Sequence, residues 1–178
     1  MTYSLRKAVP ADVAAIMELI VESVKGLSSF DYSSRQIELS IGSVFGVDLE
    51  LIEDGTYFVA ESEGNIVGCG GWSRRKTLYG SSTYSHSRNA EPLDPTTDPA
   101  KIRAFFIHPD SARKGVGTAI LDACEREAKA AGFGSAEMMS TLPGVRLYSV
   151  RGYAAGERIQ IPVGHGIEIE CLRMSKNL

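Results

Sequence analysis

RAFFIHPDSARKGVGTAILDACEREAKAAGF, residues 103–133, is the stretch whose reading decides the fold. Its apolar run Ala104-Phe105-Phe106-Ile107 suits a buried strand. The strand breaks at His108-Pro109-Asp110, and the chain then passes through Arg113-Lys114-Gly115-Val116-Gly117-Thr118 into an amphipathic helix. Val116, Ile120, Leu121, Cys124 and Ala128 line one face of that helix, charged residues cover the other, and Gly132 stops it. A strand feeding a glycine-punctuated turn at a helix N-terminus is an anion site, because first-turn amides lack intrahelical acceptors and the helix dipole adds positive potential. Gly115 and Gly117 remove side chains that would block a phosphate group.

Working outward, Tyr3–Lys7 reads as a short strand. Val13, Ile16, Met17, Ile20 and Val24 recur at helical spacing, with Pro10 near the start and Gly26 as the stop. A second helix is predicted over residues 33–44 on Ile37, Ile41 and Val44. Residues 56–60 and 65–72 form two strand runs joined by a Glu-Ser-Glu-Gly turn, with Gly68, Gly70 and Gly71 expected to bulge the second and shape the acceptor side of a cleft. Trp72 reads as core or pocket wall. Residues 74–100 read as a loop insertion, either functional or loose at the surface. Downstream come a strand at 136–140, a short helix through Leu147, Tyr148 and Val150, and a hairpin over 157–174 turning at Gly164-His165-Gly166. Within it Ile167, Ile169 and Cys171 face one way and Glu168 and Glu170 the other. This order predicts an α/β domain spanning 1–178, with a single mixed, mostly antiparallel central sheet and helices on both faces.

The 178 residues carry a formal charge of −3, 43% hydrophobic and 23% charged residues, which fits a globular protein and gives no global attraction to nucleic acid. No apolar run is long enough to span a bilayer, and the interrupted N-terminal stretch does not read as a secretory signal. Cys69, Cys124 and Cys171 each sit in an apolar pattern, and the three histidines lack ligand-like spacing. Reduced cysteines in a cytoplasmic protein without a metal are therefore expected. The chain has neither a Walker-type phosphate loop nor a dinucleotide fingerprint.

Two motifs in the right order resemble the GNAT superfamily of acyl-CoA-dependent N-acyltransferases. One is Ala112-Arg113-Lys114-Gly115-Val116-Gly117, following Phe105-Phe106-Ile107-His108-Pro109. The other is Leu147-Tyr148-Ser149-Val150-Arg151-Gly152-Tyr153. The resemblance implies a co-substrate such as acetyl-CoA, with its pyrophosphate on the amides of Arg113, Lys114, Gly115, Val116, Gly117 and Thr118, and with Ala112 also counted among the cofactor-binding residues. Its pantetheine would lie along the Phe105–Phe106–Ile107 edge, with an N–H near Ile107 polarising the thioester. Tyr148 would be the general acid for the departing thiolate. The acceptor would be a primary amine of a small molecule or peptide, bound between the first two helices and the 74–100 insertion. The resemblance also implies homodimers, which are common in the superfamily.

Three departures bear on that reading. Ala112 stands where the family often has Arg or Gln. Thr141 and Gly144 replace a common Asn and Ala. Lys101 and Arg103 occupy the neighbourhood where some members carry a glutamate base. The remaining base candidates are Glu61, Glu91, Asp94 and His86. The missing base leaves a second reading, a non-catalytic acyl-CoA sensor or interaction module.

Overall fold

The computed structural model describes residues 2–178. Strand β1 (Ser4–Lys7) precedes helices α1 (Val13–Leu27), α2 (Ser34–Ser40) and α3 (Leu49–Glu53). Strands β2 (Tyr57–Ser62), β3 (Asn65–Ser73) and β4 (Ala100–Ile107) follow, then α4 (Val116–Ala130), β5 (Ser135–Thr141), α5 (Val145–Val150), β6 (Ala154–Gly164) and β7 (Ile167–Asn177). The seven strands form one sheet in the order β1-β2-β3-β4-β5-β7-β6, antiparallel except where β4 meets β5. The strand–helix–strand unit β4-α4-β5 supplies the parallel contact. The hairpin β6-β7 then returns with its second strand against β5.

Each face of the sheet has its own apolar layer. Val116, Ile120, Leu121 and Cys124 of α4 pack with Ile102, Met138 and Tyr148 on one face. Ile16, Leu19, Ile20 and Val24 of α1 pack with Ile37, Leu51, Tyr57, Ile161 and Ile169 on the other. Helices therefore cover both faces of a mixed, mostly antiparallel sheet, as the element order predicts. No helix among the described residues is long and apolar enough to cross a membrane.

Several local expectations change. The second helix ends at Ser40 rather than residue 44. Ser33 and Gln36 cap its start reciprocally, but Ile41 turns to extended backbone and Val44 reaches the core from the following turn. Helix α3 was not legible: its five residues are too few to show a period, and its start is set by the side chain of Asp48 accepting from the Leu51 N–H. Gly26 does not stop α1, which continues to Leu27. Its role is contact, since a Cβ there would sit 2.4 Å from Pro109 Cγ. The closing hairpin is longer than predicted and turns on His165-Gly166, both at positive φ, as a two-residue loop of the type that matches strand twist.

The insertion between β3 and β4 is tied down. It folds back on itself through the Arg75–Pro92 bridge and through Lys76 and Thr77 amides donating to the Glu91 and Asn89 carbonyls. The Tyr84 hydroxyl donates to the Pro162 carbonyl of β6 at 2.8 Å. Arg103 of β4 is buried with Nε 2.7 Å from Asp48, Nη1 2.7 Å from the Thr77 carbonyl oxygen and Nη2 2.5 Å from Glu50. One guanidinium thus joins the central strand, the start of α3 and the insertion. Arg88 from the insertion reaches the same Asp48 carboxylate at 3.0 and 3.1 Å.

Candidate functional site

The pairing of β4 with β5 covers only Ala100–Lys101 against Ala136–Glu137. Glu137 there is buried between Lys101 and Arg173, whose charges outweigh its desolvation and hold its carboxyl below the usual range. Beyond that point the strands part. The divergence follows from a bulge: Ala104 has φ 59°, and the β3–β4 register shifts between Cys69 and Gly71. The buried Tyr57 hydroxyl donates to the Ala104 carbonyl at 3.1 Å, so the bulge leaves no orphaned acceptor in the core.

Past the bulge, Phe106 pairs with Cys69 and the His108 N–H donates to the Val67 carbonyl. By strand alternation the Phe105 and Ile107 amides then face the gap. Phe105 points to the α4 side, edge-on to Tyr148 at 6.2 Å, while Phe106 points to the α1 side, edge-on to Phe45 at 6.0 Å. The gap therefore passes through the sheet. It forms a cleft of about 870 Å³ lined from both faces.

On the α4 side the cleft runs into the turn singled out in the sequence. Gly115 at the helix N-cap has φ 87°, a conformation that suits glycine, and it has no side chain to cap the amides of Val116, Gly117 and Thr118. A Cβ on Gly115 would meet only the Tyr3 hydroxyl at 3.7 Å, so this approach is open. Gly117 instead allows close packing, since its Cβ would come within 3.1 Å of Leu147. Ala112, Arg113, Gly115, Gly117, Thr118, Phe105, Phe106, Ile107 and Tyr148 all line the cleft. Arg113 is exposed at φ 59°. Lys114 is exposed outside the lining, and Val116 buries its side chain in the core, leaving its backbone N–H to the turn. An uncapped 15-residue helix beside an unpaired strand edge fits a ligand with phosphates at one end and peptide-like groups along its arm.

Tyr148 sits at the floor of the α4 side, 7% exposed, with its ring against Phe105 and Tyr153. Burial pushes its pKa up, and the nearby Cys124 adds to the effect. Gly144 lies one helical turn before it; a Cβ there would press on Ser140 Oγ and the Tyr148 ring at 3.0 and 3.1 Å. Alanine at this position would therefore crowd the phenol.

Three expectations about this site are corrected. The Ile107 N–H, expected to polarise a thioester, already donates to Ser23 Oγ of α1 at 3.1 Å, which leaves the Phe105 N–H as the amide facing the gap. None of the four base candidates lines the cleft. Glu61 is bound to Arg6, Glu91 to Lys76, Asp94 accepts from its own turn at Thr96, and His86 packs at a tilt against Tyr84. Gly68, Gly70 and Gly71 do bulge β3 but do not line the cleft; they make room for Val116, Phe105 and Leu51. Trp72 is core, donating to Glu127 and packing on Phe133.

Gly70 is the tightest of the three toward the site, because its Cβ would lie 2.6 Å from the Phe105 ring. Gly70→Ala is expected to cost about 1–3 kcal/mol by overpacking. Phe105 would have to shift against Tyr148. Denaturant unfolding checks this; an unshifted midpoint would contradict the packing argument.

Residues that sequence reading missed come from the α1 side. Ser23, Phe30, Asp31, Phe45 and Tyr79 line the cleft there, with Asp31 the carboxylate in its lining among the described residues. Phe30 and Asp31 lie in an aperiodic loop, so only their position between two helices could have pointed to them.

The chain matches a family model described as the acetyltransferase (GNAT) family over residues 20–153. A GCN5-related N-acetyltransferase structure from Rhodopseudomonas palustris is similar at TM-score 0.74 and 23% identity, covering 100% of this chain and 97% of that one. The PaiA N-acetyltransferase of Thermoplasma acidophilum, solved with coenzyme A, is similar at TM-score 0.67 and 16% identity, with both chains fully covered. YncA of Salmonella typhimurium, solved with acetyl-CoA, is similar at TM-score 0.64 and 16% identity over 100% and 95%. No curated protein matches the chain in sequence. With more than half of its length under the family model and the strand–turn–helix cleft in place, the chain belongs to the GNAT acetyltransferase family.

Proposed function

We propose that the chain moves an acyl group, in first instance acetyl, from acyl-CoA to a primary amine by direct attack. One observation carries the reading: the Phe105–Ile107 edge, which β5 leaves without a strand partner, runs into the uncapped start of α4, with Tyr148 lining the same cleft. In this reading the amides of Gly115 through Thr118 hold the pyrophosphate, and Arg113 adds charge at the mouth. The acyl-CoA supplies an activated thioester. The free amine attacks the thioester carbonyl while the Phe105 N–H stabilises charge on its oxygen. The C–S bond breaks as the Tyr148 hydroxyl protonates the departing sulfur, and the proton shed by the new amide nitrogen returns to Tyr148 through water.

Proton affinities are compatible with that role. A free thiol has a pKa of ~8.5 and a phenol ~10. Burial raises both kinds of group together in this protein: it pushes Tyr148 up and the Cys69 and Cys171 thiols up to about 12. A thiolate leaving in the same surroundings is made more basic by the same desolvation.

The absence of the four expected bases from the cleft favours a second reading, a non-catalytic acyl-CoA-binding module. Incubation with acetyl-CoA and a broad panel of amines decides between them. Release of free thiol supports transfer; tight coenzyme A binding with no release on any amine supports the module.

For an active enzyme, kcat/KM should climb about tenfold per pH unit below the amine's own pKa of ~10, as free amine accumulates. Tyr148 must stay protonated to act, and its raised pKa keeps it so across that range. The profile should therefore show no descending limb below about pH 10. A fall in rate near pH 9 would exclude Tyr148 as the acid.

A further inference from the structure

The two mouths of the cleft differ in charge. On the α4 side Arg113 and Arg146 are exposed and make no ion pair among the described residues. On the α1 side the charged groups in the lining are Asp31 and Arg103. Arg103 is 5% exposed and engaged on all sides by Asp48, Glu50 and the Thr77 carbonyl, so it offers nothing to a ligand. Asp31 is exposed and makes no ion pair among the described residues.

The wall around Asp31 is apolar. Val44, Phe45, Phe106, Met139, Ile161 and Tyr79 belong to the core layer of that face and line the cleft. Phe30, beside Asp31, also lines the cleft and is fully exposed at 102%, so the protein supplies its ring with no cover.

We propose that the acceptor is a small amine on an apolar, aromatic-sized frame that carries no carboxylate or phosphate. Asp31 collects its ammonium at the mouth; the nitrogen then loses its proton to water and moves inward as the free amine, with its body between Phe30 and the Phe45–Phe106 wall. The inference rests on the amine-transfer reading above and narrows it. A carboxylate on the acceptor would lie beside Asp31 with no free cation to balance it, and like charges there would oppose binding. A polyhydroxylated frame would lose water wherever it lies against the apolar Val44, Phe45, Phe106 and Ile161 side chains of the lining. A polyamine would satisfy Asp31 but leave the aromatic wall and Phe30 uncovered.

The test compares 2-phenylethylamine with phenylalanine, phenylalaninamide, spermidine and kanamycin. Binding to the coenzyme A complex is measured by calorimetry, and turnover by thiol release from acetyl-CoA. We expect 2-phenylethylamine to exceed phenylalanine by about tenfold or more in both readouts. Asp31→Asn should weaken 2-phenylethylamine by at least about fivefold while the acetyl-CoA KM holds. Phe30→Ala should weaken it without a comparable loss for ethylamine. The side chains of both residues are exposed, so neither change threatens the fold.

Preference for phenylalanine, spermidine or kanamycin, or indifference to Asp31→Asn, overturns the inference while leaving amine transfer intact. Preference for phenylalaninamide over the free amine overturns the small-molecule part in favour of a peptide N-terminus. Asp31-dependent binding of 2-phenylethylamine without thiol release overturns the transfer reading and supports the site. Failure of every amine in both readouts overturns the two together.

Discussion

Tyr148→Phe is expected to lower kcat about 10²–10³-fold while the KM for acetyl-CoA stays within about twofold. The substitution removes one oxygen and leaves the ring. The edge-on contacts to Phe105 at 6.2 Å and Tyr153 at 5.9 Å depend on the ring alone. The contacts that hold Tyr148 are those of its ring with Phe105 and Tyr153, so removing the hydroxyl leaves them in place. Thermal stability should therefore hold, and a large kcat loss would then report on chemistry rather than folding. A kcat within about threefold of wild type would remove Tyr148 from the mechanism. Coenzyme A affinity would be untouched in either case.

The elements that could be read from the sequence are those whose signals are local. The α4 stripe recurs every three or four residues, Gly115 stands where φ reaches 87°, and the Ile167–Cys171 alternation places one face of β7 inward. The residues that open the cleft gave no such signal. Ala104 takes φ 59° without being glycine, and the Tyr57 hydroxyl, 47 residues earlier, donates to its carbonyl. Ser23 looks like one polar interruption of an apolar helix until β4 brings the Ile107 amide to it. Gly26 reads as a helix stop and turns out to be a contact, since the sequence holds no sign that Pro109 packs on it. The α4 half of the cleft is built from consecutive residues around one turn, which the sequence displays. The α1 half is assembled from α1, its following loop, the insertion and β6, and could be seen only once folded.

That assembly depends on one buried carboxylate, which leads to the largest expected loss of stability. Asp48→Asn should cost about 3–5 kcal/mol, a large share of the 5–15 kcal/mol typical of a domain, because it leaves buried positive charge undercompensated. Asp48 and Arg103 have side chains 0% and 2% exposed, and Arg88 joins them at 20%. Burial alone would raise the Asp48 pKa, yet the charges of Arg103 and Arg88 prevail and hold its carboxyl below the usual carboxylate value. A carboxylate depressed on folding contributes stability that is present above its unfolded pKa of ~3.9 and is lost as pH falls through its lower folded value. The wild-type advantage over Asp48→Asn should therefore be full at neutral pH and shrink below about pH 4. The exposed pair Arg35–Glu38, at 52% and 69%, provides the contrast: Glu38→Gln should cost well under ~1 kcal/mol at any pH. Function should follow stability in a specific way. Arg103 also holds the Thr77 carbonyl, immediately before the cleft-lining Leu78, Tyr79 and Gly80, so a residual folded population of Asp48→Asn should show a raised acceptor KM before any change at the acetyl-CoA end. Denaturant unfolding from pH 3 to 8, with both KM values measured at pH 7, tests this; equal losses for Asp48→Asn and Glu38→Gln would show that the buried cluster does not hold the insertion to the sheet.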